Sequence, residues 1–211
     1  MRYQAVIFDF DGTLFDTEYN EMTALDTLVT QATGVRPPRD KLLKTFGMTG
    51  PDGIRYLGCN EEQAAWVAPR WHEASLRALE TTQMFSGMTE TLRSLHGMGV
   101  RLGIVTSRGI SGVNTGLRAQ GLTAYFDTIV SQKDTVRHKP YPDPLLECLR
   151  RMGLDNDAAI YIGDSAGDMQ AAAAAGMASG LALWGTHDPA LPCTYRLAHP
   201  REILTLCEVE E

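Results

Sequence analysis

The sequence predicts an α/β fold, a doubly wound parallel sheet with an inserted α-helical cap subdomain after its first strand. Three observations carry that expectation. Short runs apolar on both faces alternate with stretches of helical periodicity. The runs stop at acidic, hydroxyl or glycine residues, as at the carboxyl edge of an open sheet that carries a site. Residues 17–84 contain no convincing strand and are too many for one crossover connection.

The first run, Ala5–Phe8, is wholly apolar and is bounded by Asp9 and Gly12. In the inserted stretch, Met22, Leu25, Leu28/Val29 and Ala32 mark an amphipathic helix closed by Gly34 and Pro37-Pro38. A second helical pattern runs from Glu61 to Glu80, with Pro69 expected to kink or split it. Met88, Leu92, Leu95 and Met98 then follow helical spacing up to Gly97/Gly99. Strands are expected at Leu102–Val105, Thr128–Val130, Ala159–Ile162 and Leu181–Trp184. Between them, Leu145, Leu146, Leu149 and Met152 form a helix started by Asp143 as N-cap and Pro144 at N1. An alanine-rich helix spans Ser165 to Gly176. The expected division is a core of residues 1–16 and 85–211 around a helical cap of residues 17–84.

The 211 residues carry 26 acidic and 19 basic side chains, a formal charge of −7. A negative chain lacks the positive field that non-specific nucleic-acid or anionic-membrane binding needs. No apolar run approaches the roughly 20 residues of a membrane helix. The four cysteines lie far apart, with no C-x-x-C pair, so neither zinc nor a disulfide scaffold is expected. Reduced thiols and the lack of a signal-like segment suit a cytoplasmic protein.

Polar residues gather where the strands end. Asp9 and Asp11 follow the first, two apart and so on one side of extended backbone. Thr106-Ser107 follow the second and Asp164 the fourth, with Lys139 in the preceding loop. Carboxylates of Asp9, Asp11 and Asp164 converging would repel unless a hard divalent cation joined them, and Mg²⁺ suits few protein oxygens. Lys139, the Thr106 hydroxyl, and backbone N–H groups near Gly12 and Ser107 could cradle a phosphoryl group. One carboxylate could then attack phosphorus and the other protonate the leaving oxygen.

These residues resemble the haloacid dehalogenase-like hydrolases. Asp9-Phe10-Asp11-Gly12-Thr13-Leu14 is similar to that family's first motif, and Ile104–Ser107 to its second. Lys139-Pro140-Tyr141-Pro142-Asp143-Pro144 resembles the third, and Gly163-Asp164-Ser165-Ala166-Gly167-Asp168-Met169 the fourth. Trp184-Gly185 resembles a feature of the phosphoglycolate phosphatase-like branch.

The resemblance implies a phosphatase of small phosphorylated metabolites, phosphoglycolate phosphatase-like, working through an aspartyl-phosphate as monomer or homodimer. It implies Asp9 as nucleophile and Asp11 as general acid and then base. Thr106, with Ser107 and Gly12, would bind phosphoryl oxygens, and Lys139 would neutralise charge. Mg²⁺ would be held by Asp9, the Asp11 carbonyl and Asp164, with Asp168 behind them steadying Lys139.

Departures are Ser107 where Asn is frequent and His138 where Gly often precedes the lysine. Gly47-Met48-Thr49 is followed by Gly50, not the arginine usual in β-phosphoglucomutases, with Arg55 one turn on as a substitute. Arg55 and Arg108 are candidate substrate contacts. Trp66 and Trp71 are expected in packing, and Asp16 as a helix cap. A pyrophosphatase, a mutase-like phosphotransferase and a receiver-type phosphoacceptor domain are the alternatives. Asp11 and the helical insert count against the last.

Overall fold

The computed structural model describes residues 3–208. Its strands are β1 (Ala5–Phe8), β2 (Arg101–Val105), β3 (Thr128–Val130), β4 (Ala159–Gly163), β5 (Ala178–Ala182) and β6 (Tyr195–Leu197). They form one sheet in the order β3-β2-β1-β4-β5-β6, every neighbouring pair parallel. The chain leaves β1 toward one edge and returns to β4 on its other side, which opens a crevice at the carboxyl ends. Register sharpens that edge, because Phe8 pairs with Ile104 on one side and Ile162 on the other. Asp9, Thr106 and Asp164 therefore leave the sheet side by side.

The helices are α1 (Glu18–Thr33), α2 (Arg39–Leu43), α3 (Gly50–Tyr56), α4 (Glu61–Leu79), α5 (Met88–Gly97), α6 (Ile110–Ala119), α7 (Asp143–Met152), α8 (Ala166–Ala174) and α9 (Ile203–Cys207). Alternation along β1 divides its side chains between two cores. Val6 and Phe8 join Leu92, Leu95, Val113 and Leu117 on one face. Ala5 and Ile7 join Leu145, Cys148 and Ala171 on the other. The sheet is thus covered on both sides, which is why its strands read as unbroken apolar runs.

Helices α1–α4 have a hydrophobic cluster of their own, including Met22, Leu25, Val29, Leu42, Ile54 and Val67. Burying each of Leu25, Ile54 and Val67 contributes about 1.5–3 kcal/mol. The chain enters and leaves this block along two adjacent antiparallel segments. Asp16 N–H donates to the Gln83 carbonyl at 3.2 Å, and Phe85 N–H to that of Leu14 at 3.1 Å.

Several expectations shift. The fifth strand is Ala178–Ala182, and Leu183 and Trp184 turn away because the Gly185 and Thr186 N–H groups fold back on the Ala182 carbonyl. The edge strand β6 and helices α2, α3, α6 and α9 were not foreseen. Pro69 is exposed and α4 runs through it unsplit. Pro142, not Asp143, occupies the N-cap of α7, so Pro144 is its second residue. Thr17, not Asp16, precedes α1, and its side chain caps nothing there.

Candidate active site

Asp9 and Lys139 meet at the crevice floor. Lys139 Nζ lies 2.9 Å from Asp9 Oδ2 and 2.6 Å from Asp168 Oδ1, and donates to the Tyr161 hydroxyl at 3.1 Å. All four side chains are buried. Asp168 is placed by the start of α8, where Ser165 is the N-cap. Ser165 N–H donates to Asp168 Oδ2 at 3.0 Å, and Asp168 N–H returns a bond to Ser165 Oγ at 3.2 Å. The cap is therefore Ser165, which leaves Asp164 free of that duty. Asp164 Oδ1 accepts from Thr13 Oγ1 at 2.7 Å.

The carboxylates of Asp9, Asp164 and Asp168 each offer an oxygen within 4.8 Å of the others. The third carboxylate gathered there is that of Asp168, while the Asp11 carboxylate faces Arg108. Against these acids stands one ammonium, and the imbalance shows in their protonation. Burial raises Asp9 to about 7, with Asp168 adding repulsion and Lys139 offsetting part of it. Burial, then the charges of Asp168 and Asp9, hold Asp164 well above the usual carboxylate range. Burial would also raise Asp168, but Lys139 and the Ser165 hydrogen bonds take it below its ordinary value. Burial disfavours the Lys139 cation, yet Asp168 and Asp9 outweigh that and push its pKa up. Asp168 has both oxygens engaged by Lys139, Tyr161 and Ser165. Ionising both Asp9 and Asp164 would leave negative charge that no protein cation fully answers. That donor set fits a hard divalent cation.

Asp11 points elsewhere. Arg108 grips it with Nε 2.8 Å from Oδ2 and a terminal nitrogen against Oδ1, and Thr17 Oγ1 donates to Oδ1 at 2.7 Å. The same guanidinium reaches Glu21 Oε1 on α1 at 2.6 Å and Ser75 Oγ on α4 at 2.6 Å. Ser75 Oγ in turn sits against Glu21 Oε1. Burial opposes the Arg108 charge, but Asp11 and Glu21 more than compensate, so its pKa is raised. Arg55, the other candidate, is exposed and paired with Asp52 at 2.9 Å.

A cleft of about 200 Å³ lies between the strand ends and the helical block. Asp9, Asp11, Thr106, Ser107 and Arg108 line it from the sheet side. Thr106 Oγ1 accepts from the Arg108 N–H at 3.1 Å, which leaves its hydroxyl hydrogen for a ligand. The Gly12 N–H is not similarly available, because it donates to the Phe15 carbonyl at 2.9 Å. Gly12 contributes room instead. Its φ is +77°, and a Cβ there would fall 2.4 Å from Asp164 Oδ2. Gly185 has a like reason, since its Cβ would lie 1.8 Å from the Gly12 carbonyl oxygen. Trp184 Nε1 donates to the Thr13 carbonyl at 3.0 Å, so Trp184-Gly185 buttresses the loop carrying Asp9 and Asp11. Trp66 and Trp71 pack against the α1–α4 cluster as expected, and Trp71 also lines the cleft.

The sequence profile of the haloacid dehalogenase-like hydrolases matches residues 6–182, from β1 through β5. The chain belongs to the haloacid dehalogenase-like hydrolases. Among relatives of this hydrolase, a pyrophosphatase PpaX from Bacillus velezensis is 34% identical over 189 residues, covering 87% of this chain and 84% of its own. A phosphoglycolate phosphatase from Yersinia pestis is 30% identical over 187 residues, covering 82% and 78%. A solved protein from Lactobacillus plantarum superposes with a TM-score of 0.87 at 30% identity over 98% of this chain and all of that one. A solved hydrolase from Pseudomonas syringae gives 0.84 at 26% identity, covering 95% and 96%. The chain is thus a hydrolase with phosphatase-named relatives.

Sequence reasoning missed Tyr161, Glu21, Ser75 and Thr13 in this hydrolase. Tyr161 reads as one apolar position in a strand, and only its hydroxyl betrays it. Among the described residues no helix is long and apolar enough to cross a membrane.

Proposed function

We propose that this chain is a Mg²⁺-dependent phosphatase of small phosphorylated metabolites that works through an aspartyl-phosphate on Asp9. The observation that carries the reading is the buried Lys139–Asp9 contact at 2.9 Å beside Asp164, at the floor of the sheet crevice. A carboxylate oxygen there is held in place for in-line attack on phosphorus. Asp9 Oδ1 accepts from the Phe10 N–H at 2.7 Å and Oδ2 faces Lys139, so the carboxylate cannot rotate freely. Lys139 and the Thr106 hydroxyl would take up charge on the transferring group, with Ser107 adding a donor. Asp11, across the same cleft, would protonate the departing alkoxide and then take a proton from the hydrolytic water. Asp9 and Asp164 would hold Mg²⁺, together with the Asp11 carbonyl, and Asp168 would steady Lys139. The ion would supply charge neutralisation for the phosphoryl oxygens.

Residues 17–84 would act as a cap over residues 1–16 and 85–211, hinged on the paired segments at Asp16 and Phe85. Closure would exclude bulk water and let the cap select the leaving group. The names of the relatives make phosphoglycolate and pyrophosphate the first substrates to assay. Arg55 is exposed and tied to Asp52, so nothing favours a mutase-like transfer. The reading also implies a cytoplasmic enzyme, monomeric or homodimeric. Its test is phosphate release from an aryl phosphate with Mg²⁺ and after exhaustive chelation. Activity that needs the metal and returns on adding it back supports the reading, and activity indifferent to chelation contradicts it.

A further inference from the structure

The two walls of the cleft differ in chemistry. The sheet wall is polar, whereas the helical wall is mostly apolar, with Met22, Phe46, Met48, Pro51, Ile54 and Trp71 outnumbering Thr45, His72 and Ser75. While His72 lies with Nε2 3.3 Å from Ser111 Oγ, Arg108 is the one lysine or arginine lining the cleft, against Asp9, Asp11 and Glu21. That cation is already spent. Its Nε and both terminal nitrogens are directed at Asp11, Glu21 and Ser75. Lys139 is likewise taken, by Asp9 and Asp168 below the floor. A leaving group bearing a carboxylate or a second phosphate would therefore meet a mostly apolar wall and the carboxylates of Asp11 and Glu21, with no free lysine or arginine to receive it. An anion moved from water into such surroundings is strongly disfavoured. An uncharged alcohol with an apolar face loses nothing comparable and gains contact with the helical wall. The cleft volume of about 200 Å³ keeps that alcohol small.

We propose that the helical wall selects phosphomonoesters of small, uncharged, partly apolar alcohols over esters whose leaving group is itself an anion. This rests on the phosphatase reading above and goes further, because phosphoglycolate and pyrophosphate both release anions. Recognition would lie in the apolar wall and in the closed Arg108 network, so discrimination would appear mainly in KM.

The experiment is steady-state hydrolysis by the full chain with Mg²⁺, comparing n-butyl phosphate, phosphoglycolate and inorganic pyrophosphate. The alkyl ester is expected to exceed both others in kcat/KM by at least roughly tenfold, a discrimination that packing and unpaired polar groups can supply. A smaller preference, or a reversed one, overturns the substrate class and leaves the phosphatase reading standing. No turnover of any of the three overturns both. Met48→Lys adds a cation to the helical wall at a position 37% exposed. It should shift the butyl phosphate to phosphoglycolate ratio toward phosphoglycolate by roughly tenfold. A ratio that does not move contradicts the charge argument.

Discussion

Lys139 and Arg108 are both buried cations facing more than one carboxylate, yet the partners come from different places. Those of Lys139 all belong to the sheet and its flanking helix: Asp9 after β1, Tyr161 in β4 and Asp168 in α8. Those of Arg108 are divided between Asp11 on the sheet side and Glu21 and Ser75 in the helical block. The first network involves no residue of the helical block. The second joins the block to the sheet. The charge balance differs as well. Around Lys139, burial first and then neighbouring carboxylates push up the pKa values of Asp9 and Asp164. Around Arg108 the guanidinium is consumed. One region is prepared for a cation, and the other ties two parts of the chain together.

The largest effect should come from breaking the Lys139 network. Lys139→Ala leaves Asp9 and Asp168 buried without their ammonium, and loss of one partner of such a group costs about 3–5 kcal/mol. Denaturant unfolding should show that loss, and a change under about 1 kcal/mol would mean the acids rearrange freely. A middle-sized effect is expected at the junction. A double-mutant cycle on Arg108→Gln and Glu21→Gln should return a coupling of about 1–3 kcal/mol. The same cycle on Lys139 and Glu21 should be additive to within about 0.5 kcal/mol. Coupling in the second cycle instead would erase the distinction between the two networks.

The smallest effect is the pH dependence, and its sign is specific. Asp9 is raised from its unfolded value toward about 7, so the native state binds more protons than the unfolded chain between those values. With metal chelated, its contribution is complete near pH 4 and is lost as pH rises through 7. Asp168, depressed by Lys139, acts oppositely and loses its contribution only as pH falls below the ordinary carboxylate range. Thermal melts in chelator should therefore decline from pH 5 to 7.5. A divalent cation must displace those protons, so apparent Mg²⁺ affinity should climb over the same interval. Affinity that is flat with pH would mean Asp9 is already ionised.

The strands were legible because both faces of the sheet are buried, so β1, β2 and β4 each show an apolar run ending in a polar residue. The acids were legible for the same reason: Asp9 and Asp164 sit where such runs stop. The direction of Asp11 was not. Its partner Arg108 lies 97 positions away, and Glu21 and Ser75 lie 87 and 33 positions from that arginine. No periodicity links residues so far apart. Helix α6 was hidden by Gly112 and Gly116, poor helix formers. Packing overrides that propensity, since a Cβ at 116 would come 2.7 Å from the Phe10 ring. Edge strand β6, three residues long with Arg196 exposed, carries too short a pattern to read.

Whether Asp9 becomes phosphorylated is the most direct question. The full chain can be mixed with Mg²⁺ and a labelled phosphomonoester, quenched in acid within a turnover, digested and sequenced by mass spectrometry. The account predicts one acid-stable, base-labile phosphoryl group on the peptide containing Asp9, absent from Asp9→Asn, which should also fail to turn over while melting as a folded protein. Label on another residue, or turnover by Asp9→Asn at the rate of the unaltered chain, would contradict it.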